Sequence, residues 1–194
     1  REGEDPASRK RKAALEVIYP DARLRGAIDY YADGRLADAA RALKRVLVDS
    51  RRRSLQGQAS SLRHDVQRIE GYVKRMRELE RSGDLMMALR QWGLIQKLDQ
   101  ELLKGQVESR VLVDTRALLT GFLLKRASER RGQKRYKEAL SDLRLAQQVD
   151  SNSVQVTTDL KKLAAEAPGS VVEEASALLK KAGSAPASKT PAKP

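Results

Sequence analysis

The sequence predicts an all-α protein, and three observations carry that prediction. Apolar residues recur at helical spacing almost from end to end, with no convincing run of period-two alternation. Short Asp-Gly, Ser-Gly-Asp and Pro-Gly punctuations separate the periodic stretches, as helix ends require. The third is composition. Of 194 residues 34% are charged, 40% are apolar and only 4% are aromatic, with no cysteine. A disulfide scaffold, a cysteine-bound zinc and a cysteine nucleophile are thereby excluded. One histidine cannot build a cluster of histidine ligands.

The elements follow in chain order. Residues 1–20 read as a basic arm, partly disordered, with Arg9-Lys10-Arg11-Lys12 leading into a short helix at Ala14, Val17 and Ile18 that Pro20 stops. Asp21 is a good N-cap for a helix whose face is Leu24, Ala27, Ile28 and Tyr31, and Asp33-Gly34 ends it. Leu36, Ala39, Ala40, Leu43, Val46 and Leu47 form the next, with Arg51, Arg52 and Arg53 expected at its C-terminal dipole. Residues 54–82 read as one long helix. Leu55, Leu62, Ile69 and Met76 lie seven apart, and Ala59, Val66 and Val73 form a second series, giving a heptad seam. Leu85, Ala88, Leu89, Trp92, Ile95 and Leu102 define a helix ending at Gly105, and a second long helix is expected over 106–131. The turn after it is assigned to Gly132 with Lys134-Arg135. Tyr136, Ala139, Leu140, Leu143, Ala146 and Val149 make the next helix. Ser153 caps a short helix, Pro168-Gly169 breaks it, and Ser170 with Glu173 is a capping box for the last. The helical domain is therefore expected over 21–182. The Ala/Pro/Lys/Ser tail 183–194 is too poor in apolar surface to order.

Three segments align internally: 30–40, 79–89 and 130–140. Each carries a turn followed by a small residue (Ala39, Ala88, Ala139) and a large one four later (Leu43, Trp92, Leu143). A small side chain lets two helices approach, and the large one fills the groove beside it. These segments resemble tetratricopeptide repeats, over roughly residues 21–150. The resemblance implies a right-handed stack of about three to four helical hairpins. The recurrence is 49 and 51 residues, against about 34 for that family, so the first helix of pairs two and three should be overlong.

The resemblance also implies function: a non-catalytic scaffold or adaptor that binds protein. Bacterial members include parts of envelope, secretion, pilus and motility assemblies. Its concave groove would be lined here by Leu24, Ile28, Tyr31, Val73, Arg77, Glu80, Leu124, Ser128 and Arg131. One branch of the family clamps a terminal carboxylate. At the corresponding positions this chain has Leu24, Ile28, Gly121 and Lys125, of which only Lys125 fits, so that clamp is not inherited.

The net charge of +13 and pI of about 10.1 favour an acidic partner. Arg51, Arg52, Arg53, Lys125, Arg126, Arg130, Arg131, Lys134 and Arg135 are the candidate anion-binding residues. Nucleic acid is the alternative partner, although aromatic interleaving for base stacking is lacking. A third reading is self-assembly through the seam at 55–76, which leaves monomer and homodimer both open. The competing expectation is that the seam packs inside the chain against the helix at 106–131. No catalytic constellation, cofactor loop or metal ligand set is recognisable, and His64 reads as a surface residue. No apolar run is long enough to span a bilayer. The missing signal-peptide core and cysteines favour the cytoplasm over the periplasm. A chain beginning at Arg1 leaves room for a preceding domain.

Overall fold

A computed structural model describes residues 5–183. The described residues are all α, with no strand: α1 (Pro6–Ile18), α2 (Ala22–Ala32), α3 (Leu36–Asp49), α4 (Arg53–Ser82), α5 (Leu85–Leu103), α6 (Arg110–Gly132), α7 (Tyr136–Val149), α8 (Val154–Glu166) and α9 (Ser170–Gly183). The chain divides into two compact units, residues 1–115 and 116–194, and the boundary falls inside the continuous helix α6. The last turn of α9 ends at Gly183, and the rest of the tail 183–194 lies outside the described residues.

In the first unit each helix packs on the next: α1 on α2, α2 on α3, α3 on α4, and α4 on α5. The arm is more ordered than expected. Asp5 accepts from the Ala7 N–H and Pro6 opens the helix, the position where proline costs nothing. Leu15 is fully buried, and Arg11 reaches Asp29 at 2.9 Å and Asp33 at 3.3 Å, which ties α1 to α2. The long helix α4 has 30 residues, about 45 Å at 1.5 Å per residue. It lies between α3 and α5 with Leu55, Ala59, Val66, Ile69 and Met76 buried. Of the seam, only Leu62 and Val73 are half-buried.

Two boundaries differ from the sequence reading. Arg51–Arg53 do not end α3. Ser50 is its C-cap and Arg52 is the N-cap of α4, so Arg53 opens α4 at the positive end of the helix dipole. The helix α6 starts at Arg110 rather than Gln106. Lys104 and Gly105 both adopt left-handed backbone (φ 50° and 65°), and Ser109 Oγ accepts from the Leu112 N–H at 3.1 Å. In the second unit α7, α8 and α9 pack mutually, with Leu160, Leu163, Val171 and Ala175 in the core.

Candidate functional site

The aligned segments share one turn geometry. In each, the fifth residue is left-handed: Gly34 (φ 84°), Gly83 (φ 79°) and Lys134 (φ 59°). In each, that residue's N–H donates to the carbonyl of the second (Tyr31, Glu80, Arg131). The sixth residue's N–H donates to the carbonyl of the first (Tyr30, Leu79, Arg130). This is the Schellman closure of a helix end. The third copy places its left-handed residue at Lys134, not at Gly132. Behind the turns Ala39, Ala88 and Ala139 are all fully buried, as are Leu43 and Leu143. Trp92 departs from the pattern. It is half-buried, and its buried indole N–H meets no acceptor.

Below the first turn a polar cluster crosses the core. The Tyr31 hydroxyl donates to Asp99 Oδ1 at 2.6 Å, and both side chains are buried. Burial pushes the Asp99 carboxyl up, opposed by hydrogen bonds from Ser109 and Tyr31. Burial, then the Asp99 charge, pushes the Tyr31 phenol up. Tyr19 donates to the Leu102 carbonyl at 2.7 Å, and burial raises its phenol to about 12.

The residues expected to line the groove fall in different settings. Leu24, Ile28 and Tyr31 belong to the core, at 2%, 0% and 0% exposure, and cannot line a binding surface together. On α4, Val73 is half-buried and Arg77 exposed, both beside an open groove, whereas Glu80 is half-buried. Leu124 is half-buried. Ser128 and Arg131 flank a small gap over Ala139 and Leu163, where Arg131 approaches Glu166 at 3.5 Å.

The basic cluster of the second unit is largely spent internally. Asp142 is fully buried, and Arg126 grips it in bidentate fashion (Nε–Oδ2 3.1 Å, Nη2–Oδ1 2.5 Å). Arg130 Nη1 adds a contact at 2.9 Å. Arg135 pairs with Glu138, whose carboxyl that arginine holds below its ordinary value. Lys125 and Lys134 alone of that cluster stay exposed and unpaired among the described residues.

A larger set of unpaired cations lies on α3, on α4 and in the short link between them. Lys44, Arg45, Arg51, Arg52, Arg53, Arg63, Lys74, Arg77 and Arg81 have no ion-pair partner among the described residues. Only Asp49, Glu70 and Glu80 are unpaired acids on the same two helices. Sequence reasoning picked Arg51–Arg53 and Arg77 from this set. It missed Lys44, Arg45 and Arg63, and also Lys74 and Arg81, whose signal is their spacing from Arg77 along α4. The groove there has a volume of about 510 Å³ and runs past Gly34, Leu36, Glu70, Val73, Lys74, Arg77, Glu78 and Arg81. A smaller cleft of about 270 Å³ lies where Ile18, Pro20 and Leu24 face Leu62 and Lys104.

His64 is exposed on α4. Among the described residues no three acidic or histidine side chains converge as a metal-binding group, and no helix is long and apolar enough to cross a membrane. Comparison of the chain with protein-family models, with curated proteins and with solved structures finds no match.

Proposed function

We propose that the chain is a non-catalytic protein-interaction module built from divergent tetratricopeptide-like hairpins, acting as a scaffold or adaptor for an acidic partner. The observation that carries this reading is the recurrence of one turn, with the same two closing hydrogen bonds and the same buried alanine behind it, at 34, 83 and 134. Stacked hairpins of one kind bury a shared core and leave long outer faces for recognition by shape and charge. The excess of unpaired cations on α3 and α4 supports an acidic partner, which electrostatics would steer into place.

A crosslinked pull-down from native lysate, with and without nuclease, tests the reading. A dominant protein partner that survives nuclease and moderate salt is the expected result. A broad set of proteins lost on nuclease treatment would replace it with the second reading, phosphate binding by nucleic acid. That second reading draws on the unpaired Arg51–Arg53 run and predicts a steep loss of affinity with salt. Self-assembly through the seam draws less support, because most seam residues are buried within the chain.

A further inference from the structure

We infer that the groove along the C-terminal half of α4 receives an acidic amphipathic helix of the partner, and that Lys74, Arg77 and Arg81 read its carboxylates. The inference rests on the interaction-module reading and deepens it.

The geometry begins with spacing. Lys74, Arg77 and Arg81 are separated by three and then four residues, so they form one stripe of a straight helix. Their Cα atoms advance by about 4.5 and 6 Å. A second helix laid alongside rises at the same rate per residue. Carboxylates at its positions i, i+3 or i+4, and i+7 would therefore meet all three cations in register. An extended strand, at about 3.3 Å per residue with alternating faces, would not.

The groove is built for more than charge. Leu36 and Val73, both half-buried, lie beside the cations and offer an apolar strip. Gly34 also lines the groove. Its left-handed backbone (φ 84°) leaves it without room for strain-free substitution, and an added methyl group would only reach van der Waals contact with Arg110 at 3.4 Å. None of the three cations is spent on an ion pair among the described residues, while the adjacent Arg75 is occupied with Glu78 at 3.2 Å.

Two features favour a protein helix over nucleic acid. Glu70 and Glu78 line the same groove and would repel a run of phosphates. No aromatic ring lines it to stack on a base. Glu70 also sets a sequence rule for the partner: one turn before the site of Lys74, the partner should carry a neutral or basic residue rather than an acid.

The test uses the full chain and a fluorescein-labelled, N-acetylated 21-residue helical peptide with Glu at i, i+3 and i+7 and Leu on the adjoining stripe. Fluorescence anisotropy should show binding that weakens with salt. Lys74→Glu/Arg77→Glu/Arg81→Glu should weaken it by about 10- to 100-fold, and the milder Lys74→Gln/Arg77→Gln/Arg81→Gln variant by less. Glu70→Lys should tighten it. A peptide with Lys in place of Glu should bind the charge-reversed chain better than the wild type. These residues are exposed, and unchanged far-ultraviolet circular dichroism verifies each variant's fold. Equal binding by wild type and charge-reversed chain, no binding by the wild type, or tighter binding of a 20-nucleotide single strand through the same three residues would each overturn the proposal. A native partner captured equally by wild type and charge-reversed chain would refute this groove and leave the module reading intact. Capture of nucleic acid alone would refute that reading itself.

Discussion

Lys134 occupies a backbone conformation that Gly34 and Gly83 occupy in the equivalent turns. An L-residue pays roughly 1–2 kcal/mol for left-handed backbone because Cβ crowds the following carbonyl oxygen. Lys134→Gly should therefore stabilise the chain by about 1 kcal/mol, less whatever the freer unfolded glycine takes back. Urea unfolding reads the difference directly, and a destabilised variant would show that the lysine side chain contributes something at that turn. Asp142 makes the opposite case. Fully buried and held by two arginines, it leaves Arg126 without an acid when removed, while Arg130 keeps only Glu138 at 3.6 Å. Asp142→Ala should cost about 3 kcal/mol, whereas Arg126→Ala should cost less because Arg130 still pairs with the carboxylate.

The Tyr31–Asp99 pair predicts how stability depends on pH. Burial raises the Asp99 carboxyl above its unfolded value. Between those two values the folded chain holds a proton that the unfolded chain has released, so this group's contribution is present at low pH and is lost as pH rises. Tyr19 and Tyr31 are also raised, so above about pH 10 the unfolded phenols ionise first and stability falls again. Asp99→Asn should flatten the first slope and Tyr31→Phe the second. Denaturation midpoints measured from pH 4 to 11 would expose either failure.

At the scale of elements, α4 was the most legible part of the sequence. Its heptad seam and the Gly83 stop place its ends within one residue of those observed. The reason is physical: a long apolar stripe and a left-handed glycine are both local signals. The start of α6 was not legible, because its cap depends on two consecutive left-handed residues and on the hydroxyl of Ser109. The helix α1 was half legible. Asp5-Pro6 is a capping signal, but a basic sequence with one buried leucine gives little hint that it packs. The candidate groove was the least legible. Whether Ile28 or Arg77 faces outward depends on which sides of a helix its neighbours cover, and periodicity names a face without naming its cover. The seam itself gives a clean contrast. Ile69, fully buried, should cost about 3 kcal/mol as Ile69→Ala, while half-buried Leu62 should cost less than half as much. The double variant Leu62→Asp/Ile69→Asp should lose helicity by circular dichroism. A halved mass in light scattering with helicity kept would instead make the seam an interface.

For the whole molecule, the net charge of +13 is a self-repulsion that folding concentrates. Added salt screens such repulsion. The melting temperature should rise as sodium chloride is increased from low ionic strength, and Lys74→Glu/Arg77→Glu/Arg81→Glu should reduce that gain. A wild-type melting temperature that falls with salt would mean the surface ion pairs outweigh the repulsion. The boundary between the two units falls in the first third of α6. A single hydrogen-bonded helix carries the backbone across the boundary, so Arg116→Pro, which breaks one such bond and crowds the preceding turn, should destabilise the chain by about 3 kcal/mol or more.

The burial of the seam also gives the protein an internal chemical clock. Its three methionines are unequally sheltered: Met86 is 71% exposed and Met87 38%, while Met76 on α4 is sealed at 0%. Peroxide converts a reachable thioether to its sulfoxide and leaves a sealed one alone until the structure opens. Two oxygen atoms should be taken up quickly and the third only at the pace at which α4 leaves its neighbours. Once taken up, that third oxygen puts a polar group where the seam closes, so a single oxidation event would prevent the helix from returning to its place.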